Sequence, residues 1–291
     1  MNKLIVMMAA AGASLVMASA VFAGPGNIVY TVHNMSSTNP GGLNRYIASN
    51  NETQICIFCH TPHSGRPAVP LWNRVMPGQA FNMYTSSSSL SDTAKKVTAP
   101  GPESLLCLSC HDGRTAINVV HHAKGSTTET ATGSGGNIEY IIDIGGTYSA
   151  ADTPANTHEG LASGVGLAMG VFGFANYGPN IGKLNDGSDI NDSIYGGNLM
   201  DDHPISFSYN AAQGSKLTQL NDIATVKAKS SNAIRFFGSD NRLECSSCHD
   251  PHIPYGMDRM GTETGVGSKD LRPFLVMANT GSAMCLACHN K

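Results

Sequence analysis

Apolar residues lie along this chain in one dense block and a few short patches. Leu4 to Val21 is an almost unbroken run of apolar and small residues behind Lys3, and Val21-Phe22-Ala23 resembles a processing site. Ala, Gly and Ser dilute the run, so it reads as a cleaved export signal over 1–23. A membrane anchor would want about 20 strongly apolar residues. Past it, Asn27 to His33 alternates over a few positions and, with the Asn-Pro-Gly-Gly turn at 39–42, predicts extended chain over 24–55. Pro100, Gly101 and Pro102 break the chain before Glu103 to Cys110, which predicts one short helix. Leu220, Ile223 and Val226 fall on one side of a second helix expected over 218–229. The interval 112–244 is dominated by Gly, Ser, Thr and Asn, with one apolar Gly-rich patch from Leu161 to Tyr177. Irregular stretches of that length are unusual in a compact domain.

Composition sharpens the problem. Large apolar residues are scarce while Gly and small polar residues abound, so little apolar side-chain area is available for burial. Something else must supply the interior. The formal charge is −3 and no Lys/Arg cluster occurs, which argues against nucleic acid as a partner. Nothing after residue 23 is long and apolar enough to form a transmembrane segment.

The cysteines name the missing interior. There are eight, and all fall in Cys-x-x-Cys-His motifs: Cys56-Ile-Phe-Cys59-His60, Cys107-Leu-Ser-Cys110-His111, Cys245-Ser-Ser-Cys248-His249 and Cys285-Leu-Ala-Cys288-His289. Two thiols at this spacing add to the two vinyl groups of one porphyrin, and the adjacent imidazole becomes the proximal iron ligand. Four such motifs, with no cysteine left over, point to four covalently bound haems c. A zinc ribbon would set its paired elements about 15–20 residues apart and would give no reason for a histidine after every pair. Structural disulfides suit an exported chain but leave the histidines unexplained.

Four proximal histidines leave seven others: His33, His63, His121, His122, His158, His203 and His252. His63 and His252 each stand three positions after a proximal histidine, in Cys-His-Thr-Pro-His and Cys-His-Asp-Pro-His. So short a segment cannot wrap round its own haem, but it reaches a neighbouring one. That assigns His63 to the second haem and His252 to the fourth. The two halves echo each other, each reading isolated histidine, CxxCHxPH, then plain CxxCH. The echo nominates His33 and His203 as the remaining distal ligands. His121 and His122 compete for the same role, and His158 sits in a polar loop as a bystander. With spare histidines available, bis-histidine ligation is the economical reading; methionine ligation is the alternative, most methionines being placed for packing. Trp72 is expected to pack on a porphyrin face.

The order His, CxxCHxPH, CxxCH, with Pro-Leu-Trp-Asn-Arg (70–74) after the first motif and Asp202-His203-Pro204 before the third, resembles the outer-surface multihaem c-type cytochromes of metal-reducing bacteria, in particular their tetrahaem members. The likeness runs through most of the mature chain. It implies a secreted protein at the outer surface or beyond, with the periplasm as the alternative location. It implies subunits joined head to tail into a nanowire, an extracellular filament in which His33 of one subunit ligates a haem of its neighbour. Periplasmic or outer-membrane cytochromes would donate electrons, and external acceptors would take them. The fold expected is that of a multihaem cytochrome c: mostly irregular coil, few short helices, minimal strand and a core of four haems. Its parts are a first haem pair over 24–124, a haem-free insert over 125–202 and a second pair over 203–291. Electron transport rather than catalysis is the expected function. A multihaem oxidoreductase, which needs an iron with an open distal position, and a monomeric periplasmic shuttle are the competing readings.

Overall fold

A computed structural model of the chain describes residues 25–38, 48–49, 52–62, 71–78, 80–112, 115, 119–122, 128–132, 138–142, 144–145, 181, 197–216, 219–257 and 263–290. The export signal expected over 1–23 lies outside these residues, as do His63, His158 and the patch from Leu161 to Tyr177.

Six short α-helices occur among the described residues, most with a local reason to begin. Helix α1 (Asp92–Lys95) starts where the Ser91 hydroxyl accepts from the Ala94 N–H. Helix α2 (Pro102–His111) opens with Pro102 at its first position, where the missing N–H costs nothing, and extends the expected 103–110 helix by one residue at each end. Helix α3 (Tyr209–Ser215) is capped by Ser208. Helix α4 (Ile223–Lys229) is shorter than the stretch expected over 218–229, because the Asp222 carboxylate accepts from the Thr225 N–H and so fixes the start there. Lys227 and Lys229 then sit in its last turn, where the helix dipole favours positive charge. Helix α5 (Cys245–Cys248) and helix α6 (Ala283–Cys288) are each built round one motif.

The amino-terminal stretch departs from expectation. Pro25–Tyr30 winds into a 3-10 helix rather than running extended. Its few alternating residues are answered locally: the Thr31 hydroxyl donates back to the Ile28 carbonyl, and the Asn34 amide donates to the Val29 carbonyl. Ile28, Thr31, Asn34, Met35 and Ser36 are all buried.

Strands are short and pair locally or across long intervals. Asn82–Met83 pairs in parallel with Asn198–Leu199, and Phe207–Ser208 pairs antiparallel with Arg242–Leu243. The segment 125–202 is more regular than expected, since Thr128–Thr132 and Ile138–Ile142 form an antiparallel ladder to which Val119–Val120 adds. Tyr255–Met257 pairs with Glu263–Gly267, where Gly267 has φ +93° and a Cβ would strike the Pro254 carbonyl.

Two apolar clusters lie wholly among the described residues. One cluster joins Ala94, Phe207, Tyr209, Ala212, Val226, Ile234, Leu243 and Ala287, and a smaller one joins Phe81, Met83, Leu108 and Leu199. No described helix is long and apolar enough to cross a membrane.

Candidate metal centre

All four Cys-x-x-Cys-His motifs are wound into a single helical turn. The first is a 3-10 turn, Cys56–Phe58, the second ends α2, the third is α5, and the fourth ends α6. In three of them the histidine N–H donates to the carbonyl of the first cysteine: His60 to Cys56 at 2.7 Å, His249 to Cys245 at 3.1 Å and His289 to Cys285 at 2.8 Å. Residues three apart on a turn share one face, so each motif presents two thiols together with an imidazole directly after them. None of the eight cysteines is in a disulfide.

Consecutive motifs also lie within electrostatic reach of one another. Burial, with Cys110 nearby, pushes the Cys59 thiol up to about 12. Cys107 and Cys245 act on each other, raising the first thiol and lowering the second, and the helices that carry them are in contact. Burial, with Cys288 adding to it, pushes Cys248 up to about 12.

Side chains outside the motifs hold two of these junctions. Asn73, fully buried, donates to the Ile57 and His122 carbonyls at 2.6 and 2.7 Å and accepts from the His122 N–H at 2.8 Å. Arg74 reaches the Ser109 carbonyl at 3.3 Å, and Trp72 donates to the Ser109 hydroxyl. Between motifs two and three lies Glu244, its side chain wholly buried. Its carboxylate accepts from the Ser104 and Ser206 hydroxyls and from the Arg242 guanidinium. Ser104 in turn accepts from the Cys245 N–H, and Ser206 from the Gly101 N–H. A Cβ on Gly101 would overlap the Glu244 carboxylate, so glycine is required for this approach.

Three pairs of imidazoles face each other. His33 and His111 have ring centres 6.0 Å apart with planes at 78°; His60 and His252 are at 6.3 Å and 17°; His203 and His289 are at 6.3 Å and 70°. These separations lie toward the wide end of ring packing. They match two imidazoles sharing one metal ion, about 2 Å for each nitrogen–metal bond and about 1 Å from nitrogen to ring centre, roughly 6 Å in all. Among the described residues no group of three or more His, Cys, Asp or Glu converges as a cage for a bare ion. Two imidazoles at this separation would suit a metal whose other ligands come from a planar group.

Several ring nitrogens are anchored. Nδ1 of His249 lies 2.8 Å from the Pro273 carbonyl, and Nδ1 of His203 lies 2.8 Å from the Pro204 carbonyl. A carbonyl only accepts, so Nδ1 carries the proton and Nε2 is left with its lone pair. His252 Nδ1 is held by the Asp250 carboxylate at 2.8 Å. His33 is held at about 3 by burial, with His111 and His252 adding to the effect, and its buried Nδ1 has no hydrogen-bond partner. Burial and His252 lower His60 as well. Asp202, beside His203, is raised to about 6 by burial and by Asp201.

The candidate distal histidines take these positions. His33 lies beside His111 and, at 4.5 Å, against Phe274 of its own chain. The buried 3-10 helix before it turns the segment inward. His252, expected at the fourth motif, stands against His60 of the first. His203 lies beside His289. His121 and His122 sit on the segment tied to Asn73. Trp72 meets His60 edge-on, ring centres 5.4 Å apart. Asn73 lies in the quoted Pro-Leu-Trp-Asn-Arg run and Glu244 directly precedes Cys245, yet neither had been assigned a role. The chain matches no protein-family model and no curated protein sequence.

Proposed function

We propose that this chain carries four covalently attached haems c and passes electrons along them. One observation carries the reading: all eight cysteines lie in four one-turn motifs, each followed directly by a histidine. Consecutive motifs lie within electrostatic reach of one another, so groups attached at them would be neighbours, which suits one-electron transfer from each to the next. Cys56 and Cys285, at the two ends of the series, are exposed, which suits electron input and output there.

Haem supplies the one-electron chemistry when bound. The chain's own residues do the rest. Paired thiols at Cys56/Cys59, Cys107/Cys110, Cys245/Cys248 and Cys285/Cys288 hold the group covalently, and His60, His111, His249 and His289 supply the proximal imidazoles. The Pro273 carbonyl orients His249 and strengthens it as a donor. His33, His203 and His252, each beside a motif histidine, would be available as second imidazole ligands, which would leave no position for a substrate at those haems. This favours a conduit over an oxidoreductase. Export, periplasmic or outer-membrane donors, external acceptors and head-to-tail assembly belong to the same reading through the family likeness.

The test is the mass and spectrum of the secreted protein. Four added haems per chain, low-spin ferric iron only, and no binding of carbon monoxide by the reduced native protein are expected. A mass without haem overturns the reading, and a stoichiometric high-spin iron would favour an enzyme.

A further inference from the structure

We infer that the axial pairs are His60–His252, His33–His111 and His203–His289, so that a histidine from the second half closes the first haem and locks the halves together. The inference rests on the haem reading above and goes beyond it, because the internal echo of the sequence would keep His252 within its own half.

Three observations carry it. Each pair joins one motif histidine to one histidine outside the motifs, at the separation that a shared metal requires. The one pair that crosses between halves lies beside the His33 pair: the Pro251 carbonyl faces His33, and His252 is near both His33 and His60. Phe274, from the second half, packs on the His33 ring. The first and second centres are therefore closed from a single place, where 250–252 and 274 meet 33, 60 and 111.

The ring angles add a spectroscopic signature. An imidazole interacts with iron through the orbital perpendicular to its plane. Parallel planes act on one iron dπ orbital and split the pair, giving a rhombic low-spin signal. Perpendicular planes act on both alike and leave them nearly degenerate, giving a highly anisotropic signal. The 17° of His60–His252 belongs to the first kind, and the 78° and 70° of the other pairs belong to the second.

Ferric paramagnetic resonance of the full-length haem-loaded protein reads this directly. In His252→Ala the rhombic signal should lose one iron per chain and one high-spin iron should appear, the anisotropic signals staying as they were. His33→Ala and His203→Ala should each remove one iron from the anisotropic signal. A crystal structure of reduced His252→Ala with carbon monoxide should show the gas on the haem of Cys56 and Cys59. Carbon monoxide on the haem of Cys285 and Cys288, or no high-spin iron in His252→Ala, overturns the pairing. If the alanine variant fails to mature, His252→Met keeps the iron six-coordinate and should convert one rhombic centre to a histidine–methionine spectrum; an unchanged spectrum overturns the pairing equally. A wild-type mass short of four haems would instead sink the haem reading itself.

Discussion

Around Cys56 fully buried polar side chains tie backbone groups together beside Ile57 and Phe58, whereas around Cys285 the helix packs into an apolar cluster and its polar ties come from partly exposed residues. Asn73 and Arg74 thread beneath the first motif and bond backbone carbonyls at Ile57, Ser109 and His122. Helix α6 instead packs against α4, with Ala287 and Val226 fully buried in a cluster that includes Tyr209 and Ile234. The difference follows from what the sequence offers. Residues 207–243 contain enough Phe, Tyr, Ile, Leu and Val to cover a helix. Beside the first motif, with Ile57 and Phe58 buried, Asn73 and Arg74 fix backbone groups one bond at a time. Apolar packing tolerates small changes in shape; a buried amide with three specific partners does not.

The seam between the two kinds of support is Glu244, and its removal should have the largest effect. Its buried carboxylate joins Ser104 of α2, Ser206 and Arg242. Glu244→Ala leaves both hydroxyls without their acceptor and opens space beside Gly101. Arg242 keeps Asp240 and Glu103 as partners, which limits the loss. A destabilisation of about 3–4 kcal/mol is expected, near the lower end for breaking a buried ionic network. Denaturant unfolding of the haem-loaded protein measures it. A change under about 1 kcal/mol would mean that the seam is held elsewhere.

Asn73→Ala tests the polar side of the comparison. It strands two carbonyls and one N–H, at Ile57 and His122, for an expected cost of about 2–3 kcal/mol. Amide hydrogen exchange should show the loosening near 52–62 and 119–122 and leave 219–257 protected. Uniform loss of protection would show that the two regions unfold as one unit.

Much of this was legible in the residues, and the exceptions share a cause. Helix α2 was visible because Gly101 and Pro102 announce its start and Leu105, Cys107 and Leu108 follow at helical spacing. The four motifs were visible because their chemistry is local. The 3-10 helix at Pro25–Tyr30 was not, because five or six alternating residues look alike in a strand and in a tight turn. The partner of His252 was hidden for a different reason. Sequence gives the reach of a three-residue segment but not which motif lies within it, and that depends on how the two halves close. Asn73 and Glu244 act over separations of 49 and 140 residues, to His122 and Ser104, where no spacing rule applies.

Val226→Ala tests the apolar side and should have the smallest effect of the three. Val226 is fully buried on α4 and belongs to the cluster that backs the fourth motif. Truncation removes two methyl groups' worth of contact and strands no polar atom, so the cost is lost transfer energy plus a small cavity, about 2 kcal/mol. The tie between α4 and the fourth motif should survive, because the Asn221 N–H still donates to the Cys288 carbonyl and Lys229 still donates to Leu286. Denaturant unfolding should therefore show a lower midpoint with an unchanged slope, and exchange should rise at 219–234 and 283–289 while the first motif stays protected. If Val226→Ala instead loosens 52–62 as much as Asn73→Ala does, the apolar cluster supports the whole chain and the contrast between its two ends is lost.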